Sequence, residues 1–139
     1  MTQTCLQFVQ WLKDWFYDKS DVDNLFNGMK PTEVYSCSSW TSYINTSASN
    51  LLKLYKMGDM YFLRYFITTN SLTYSTTDYN MNDDYIGSDY RPIGDRTFHV
   101  STSSSHNAKI IITNGGKIKI STDTNSTAIS LSGTLMYWW

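Results

Sequence analysis

The 139 residues suffice for one compact domain with room for a short appendage. With a net charge of -1, charged residues at 17% and no basic run, the chain offers no field that would gather nucleic acid or an anionic membrane surface. No stretch approaches the ~18 apolar residues that span a bilayer, the start MTQTCLQFVQWLKDW lacks the basic region and small-residue cleavage site of a signal peptide, and two cysteines are too few for a disulfide scaffold.

Residues 4–16 have helical spacing. Cys5, Val9, Leu12 and Phe16 form one stripe, which Phe8, Trp11 and Trp15 widen. A lone helix of this length is marginal in water, so it must pack on the rest of the chain or on copies of itself. Ser20, with Asp23 three residues on, starts a second short helix over 21–26. Asn27-Gly28 ends it and Pro31 bars its continuation. Residues 1–31 are therefore expected to be a helical stalk.

From Thr32 the pattern changes. Aromatics are 16% of the chain, with Tyr the commonest, and aromatic and β-branched residues fit a pleated, half-buried surface. Val34, Tyr35 and Cys37 begin a strand, and Trp40–Ile44 reads as another short piece. Residues 51–56 and 60–67 form a hairpin turning at Gly58-Asp59, and its second strand, apolar on both faces, is expected to lie centrally. Residues 68–90 read as one long polar loop. Strands follow at 96–102 and 108–113, then a turn at Asn114-Gly115-Gly116 and the alternation Lys117-Ile118-Lys119-Ile120, with Ile inward and Lys outward. Two last pieces, 128–131 and 133–139, complete the sheet. The expected fold class is mainly β: an antiparallel β-sandwich or jelly-roll-like head over 32–139, preceded by the short α-helices of 1–31.

Little in the chain selects catalysis. A glycosidase needs two carboxyl groups set across a bond, and no pair among the acids stands out; Asp83 and Asp84 are adjacent, so on a strand they would face opposite ways. The single Glu, Glu33, begins a strand. His99 alternates with strand residues and His106 sits in a Ser-rich turn. There is no Gly-x-Ser-x-Gly elbow and no phosphate loop. Cys5 and Cys37 read as free thiols, and with His99 and His106 they lack zinc-ligand spacing. Asp78, Asn80, Asn82 and Asp89 echo the alternate oxygen ligands of a calcium loop, but Asp83 stands where glycine is needed, so an ordinary polar loop is the stronger reading. Neither a metal nor a cofactor is expected.

Binding is better provided for. Trp40, Tyr74, Tyr79, Tyr85 and Tyr90 lie in or beside loops, interleaved with Asp78, Asn82, Asp83 and Asp84. Aromatic faces stack on sugar rings while neighbouring carboxylates and amides fix hydroxyls. The plainer reading of any one Tyr is a ring packed at the core edge.

Three motifs carry a resemblance. Residues 17–27, YDKSDVDNLFN, look like a segment of the helical parts of phage tail fibres. LKLYKMGDMYF, residues 52–62, is similar to a hairpin of fibre head domains. The order Tyr90-Arg91-Pro92, Ile110-Ile111-Ile112, Gly116-Lys117-Ile118 and Gly133-Thr134-Leu135-Met136-Tyr137 follows that of their closing strands. The chain thus resembles phage tail-fibre and baseplate receptor-binding proteins over most of 17–139. The resemblance implies a homotrimer, coupled through Phe8, Val9, Leu12, Trp15, Phe16, Val22 and Leu25, located in the virion. Its head would recognise a host-surface glycan or protein. A structural fibre-tip protein that binds other virion tail proteins is the alternative, and a polysaccharide depolymerase a third.

Overall fold

A computed structural model describes Gln7, Gln10, Asn24 and residues 29–72, 78–103, 106–123, 125 and 128–138. The chain divides into two units, Met1–Pro31 and Thr32–Trp139. Within the expected helices Gln7, Gln10 and Asn24 are helical, while Phe8, Val9, Leu12, Trp15, Phe16, Val22 and Leu25 lie outside the described residues, as does Cys5. Between Met29 and Trp138 the described residues contain no α-helix, only a single 3-10 turn at Ser88–Tyr90.

The second unit is mainly β. Its strands are β1 (Thr32–Ser36), β2 (Leu51–Met57), β3 (Met60–Thr68), β4 (Tyr79–Asn80), β5 (Arg96–Ser101), β6 (Asn107–Ile112), β7 (Ile118–Thr122) and β8 (Ser130–Trp138). They form two four-stranded sheets, in the orders β1-β2-β3-β8 and β4-β7-β6-β5, and every pairing is antiparallel. The runs β1-β2-β3 and β5-β6-β7 each stay within one sheet.

The side-chain period of two explains the layering. In β3, Tyr61, Leu63, Tyr65 and Ile67 are buried while Arg64 and Phe66 are exposed. In the other sheet Ile110, Ile112, Ile118 and Ile120 are fully buried. Both sets belong to one apolar cluster, so the sheets share a core. At ~1.5–3 kcal/mol for each fully buried aliphatic or aromatic side chain, this cluster is the main source of stability.

Several local expectations change. The polar stretch 68–90 is no simple loop: Leu72, Met81 and Ile86 are buried in the core, and Tyr79–Asn80 forms β4. Trp40–Ile44 makes only isolated bridges, Trp40 with Asn82 and Ile44 with Thr69. The two terminal pieces are one strand of nine residues, β8, running unbroken through Gly133. A Cβ at Gly133 would lie 2.7 Å from the Tyr65 hydroxyl, so here glycine makes room for a ring beneath the strand and is no break in it.

Candidate ligand-binding site

The residues singled out from the sequence separate into two groups. The first surrounds Asn82 and Lys117. Asn82 is fully buried beside Trp40. Its Oδ1 accepts the Ile118 N–H at 2.8 Å, and its Nδ2 donates to the Tyr35 hydroxyl and to the Asp84 carbonyl, both at 3.0 Å. The Asp84 carboxylate accepts the Tyr35 hydroxyl at 2.6 Å, the Ser38 N–H at 2.8 Å and the Ser38 hydroxyl at 3.0 Å. The Lys117 ammonium donates to the carbonyls of Asn82, Asp83 and Asp84 and lies 3.9 Å from the centre of the Tyr85 ring. Residues 82–85 are thus wrapped around one ammonium by hydrogen bonds and a cation–π contact. These groups satisfy one another, which shapes the loop and leaves Asp83 and the outer face of Tyr85 to solvent.

Burial, followed by the hydrogen bond to Asp84, pushes the Tyr35 hydroxyl far above its ordinary range, so it stays a donor. Burial likewise raises the Cys37 thiol to about 11, and its Sγ donates to the Ser39 carbonyl at 3.3 Å. Cys37 is therefore an inert thiol near neutral pH. At Asp84 burial works upward, but the bonds from Ser38, Tyr35 and Asn82 outweigh it and hold the carboxyl below its ordinary 3.8. A carboxyl depressed on folding contributes stability that is present above its unfolded value and is lost as pH falls through its folded value. Asp84→Asn is accordingly expected to be less stable at pH 7 and to lose less stability than the parent between about pH 5 and pH 2. Urea titrations across that range measure the difference, and parallel curves for the two proteins would refute it.

Tyr79 packs its ring against Tyr43, with centroids 4.4 Å apart, at the edge of the core. Asp78 is half-buried, and Tyr74 lies outside the described residues. Asp78, Asn80, Asn82 and Asp89 do not assemble as calcium ligands. The Asn82 oxygen is taken by Ile118, and Asp89 lines a different cavity. Among the described residues no three His, Cys, Asp or Glu side chains form a group that could hold a metal ion.

The second group lies where the β2–β3 turn, the Ser88–Tyr90 turn and the end of β8 meet. Tyr90 packs against Tyr61, and its carbonyl accepts the Tyr137 hydroxyl at 2.8 Å. Tyr61 and Tyr137 stack at 5.1 Å with an interplanar angle of 12°. Beside them a cleft of about 740 Å³ is lined by Lys56, Asp59, Met60, Tyr61, Asp89 and Trp138. A second cleft, of about 350 Å³, has Asp95, Arg96, Phe98 and again Trp138 in its walls. Trp138 is 60% exposed and stands between the two. Its carbonyl is held by the Arg96 guanidinium at 3.4 Å. An open indole flanked by carboxylates, an ammonium and a guanidinium can hold a flat apolar face and several hydroxyls together.

No protein-family model matches the chain, and no curated protein sequence is similar to it.

Sequence reasoning pointed to the end of the molecule that carries Asp89 and Tyr90 but missed Lys56, Asp59 and Trp138 as walls of a cleft. The adjacent Trp138-Trp139 pair was the available signal. Neighbours on a strand face opposite ways, so one indole of such a pair is turned from the core.

Proposed function

We propose that the Thr32–Trp139 unit is a non-catalytic binding head that holds a neutral glycan of a cell surface, with Trp138 as its stacking platform. The observation that carries this reading is the exposed indole shared by two clefts with carboxylates in their walls. A pyranose laid on Trp138 would bury its C–H face, while Asp59 and Asp89 accept hydroxyls on one side and Asp95 and Arg96 engage them on the other. The near-neutral net charge of -1 suits an uncharged ligand better than a polyanion. The two sheets are read as a sandwich of paired meanders rather than a jelly roll, because consecutive strands stay in one sheet. The resemblance to tail-fibre and baseplate proteins supports a place at a virion tip on a homotrimer, and makes a host-surface glycan the natural ligand.

Screening the protein on a glycan array, then titrating the best glycan, tests the reading. Trp138→Ala is expected to weaken binding by about 30-fold or more, the order of one well-packed aromatic anchor. Tyr85→Ala, which alters an exposed ring outside the clefts, is expected to change it less than about 3-fold. Equal losses in the two variants, or no glycan bound at all, would remove the proposal. In the latter case binding to other tail proteins becomes the better account.

One observation favours a second reading. Asp59 and Asp89 share the larger cleft, and two carboxyl groups across a sugar are what a depolymerase requires. New reducing ends released from a bound polysaccharide, and lost in Asp59→Asn and Asp89→Asn, would establish that reading instead.

A further inference from the structure

β5 lies along the outer edge of β8 and is tied to it at both ends. The Arg96 guanidinium holds the Trp138 carbonyl at one end, and Ser103 exchanges bonds with Ser130 at the other. Beside each tie the surface sinks into a cleft. The cleft at Arg96 is the smaller of the two that share Trp138. The cleft at Ser103 has a volume of about 270 Å³, and its walls include Phe66, Ser101, Ser103 and Ser132. Phe66 is 50% exposed. The Ser101 and Ser132 side chains are exposed and make no hydrogen bond among the described residues. An open ring beside free hydroxyls suits a sugar here as the indole does at the other end.

The two clefts lie on one line. Alternate residues of a strand share a face, and so do register partners on neighbouring strands. Trp138, Met136, Thr134 and Ser132 therefore stand on one face of the first sheet, with Arg64 beside Thr134 and Phe66 beside Ser132. All six are exposed. Lys53, the partner of Arg64 on β2, is paired with Glu33 at 2.8 Å. Arg64 itself has no acid partner among the described residues, so its N–H donors face solvent. From Trp138 to Ser132 the strand advances by about 20 Å, roughly the length of four pyranose rings in an extended chain.

We propose that the glycan site is a track along β8, which takes a linear, extended, neutral oligosaccharide stacked on Trp138 at one end and on Phe66 at the other. This rests on the reading of Trp138 as a sugar platform and adds the length and shape of the chain it holds. Midway, the Thr134 hydroxyl and the Arg64 guanidinium meet the sugar hydroxyls, and Met136 bears a C–H face. Ser101 and Ser132 fix the hydroxyls of the sugar on Phe66. The Phe66 cleft has no charged side chain in its walls, and at the Trp138 end Asp59, Asp89 and Asp95 repel an anion. A neutral chain suits both ends. The register of β8 against β3 is unbroken, so the track follows a regular strand. An extended β-1,4-linked chain keeps to it, whereas a helical α-1,4-linked chain would lift away between the two rings.

Oligomers of one to six units from three β-1,4-linked series (glucose, mannose and N-acetylglucosamine) test the proposal when titrated into the full chain. In the series that binds, affinity is expected to rise about 10-fold or more from the disaccharide to the pentasaccharide and then to level off. Phe66→Ala is expected to weaken the hexasaccharide about 10-fold and to leave the disaccharide unchanged, because the short chain stays on Trp138. Trp138→Ala weakens both. Phe66→Tyr keeps a ring in place and is expected to match the parent, and all variants are expected to keep its circular dichroism. A disaccharide that binds as tightly as the hexasaccharide, a hexasaccharide indifferent to Phe66→Ala, or equal losses in Phe66→Ala and Phe66→Tyr would overturn the track and leave the Trp138 platform standing. Binding of none of the three series also overturns the track, and the platform falls with it only if the glycan array is blank as well.

Discussion

Replacing Asn82 with leucine is expected to lower the unfolding free energy by about 3 kcal/mol or more, although the two side chains are close in size. Asn82 is fully buried, and its amide ties the Tyr35–Asp84 pair to the backbone at the start of β7. Leucine leaves the Ile118 N–H without its acceptor in a place where water does not reach. An orphaned buried donor costs about 1–3 kcal/mol, and the lost bonds to the Tyr35 hydroxyl and the Asp84 carbonyl add about 1 kcal/mol each. Urea unfolding followed by tryptophan fluorescence gives the figure from the shift in midpoint at constant slope. A loss below about 1 kcal/mol would mean that the 82–85 segment moves aside and lets water reach Ile118.

Gly116→Ala is expected to cost about 2–4 kcal/mol, whereas Gly115→Ala, its neighbour in the same turn, stays within about 0.5 kcal/mol. Gly116 has φ +89°, a conformation that side chains disfavour. A methyl there would also meet the Arg91 Nε at 2.6 Å and the Ile86 carbonyl at 2.9 Å. Those two atoms are hydrogen-bonded to each other at 2.7 Å, and Ile86 N–H donates to the Gly116 carbonyl at 3.0 Å. The substitution therefore pries open the latch that holds the 86–91 segment against the turn. At Gly115 the nearest atom is the Thr113 hydroxyl at 3.8 Å, an ordinary contact. Thermal unfolding of the two variants side by side measures the contrast, and equal midpoints would refute it.

Much of the β unit was legible because its signals are local. The turns at Gly58-Asp59 and Asn114-Gly116 announce themselves by residue type, and Ile118 and Ile120 alternate with lysines as a one-sided strand must. The losses come from interactions between residues far apart in the chain. Leu72, Met81 and Ile86 are scattered apolar residues with no period, and they are core only because two sheets close over them. The last strand reads as two pieces, 128–131 and 133–139, because nothing local shows that the Tyr65 ring lies beneath Gly133. Asn82 looks like one more polar loop residue, since its acceptor role depends on Ile118, 36 positions away. Lys117 reads as an outward strand residue, yet its ammonium organises the carbonyls of three residues more than 30 positions earlier. The binding residues fared similarly. Aromatic and acidic composition predicts a sugar-facing surface, but it does not say that Asp59, Asp89 and Trp138 share one cleft.

The place of β8 in the chain order bears on how the molecule is made. β3 borders β8 along nine register pairs, yet more than 60 residues separate the two strands. A nascent chain emerging from the ribosome presents the β2–β3 hairpin early and cannot complete its sheet until residues 130–138 have cleared the exit tunnel. During that interval β3 has one unpaired edge and an aromatic-rich inner face, Tyr61 and Tyr65 included, with half its covering layer still unsynthesised. Such long-range closure is slow and exposes sticky intermediates. Yield in a heterologous host should therefore depend on the pace of translation and on chaperones that shield strand edges.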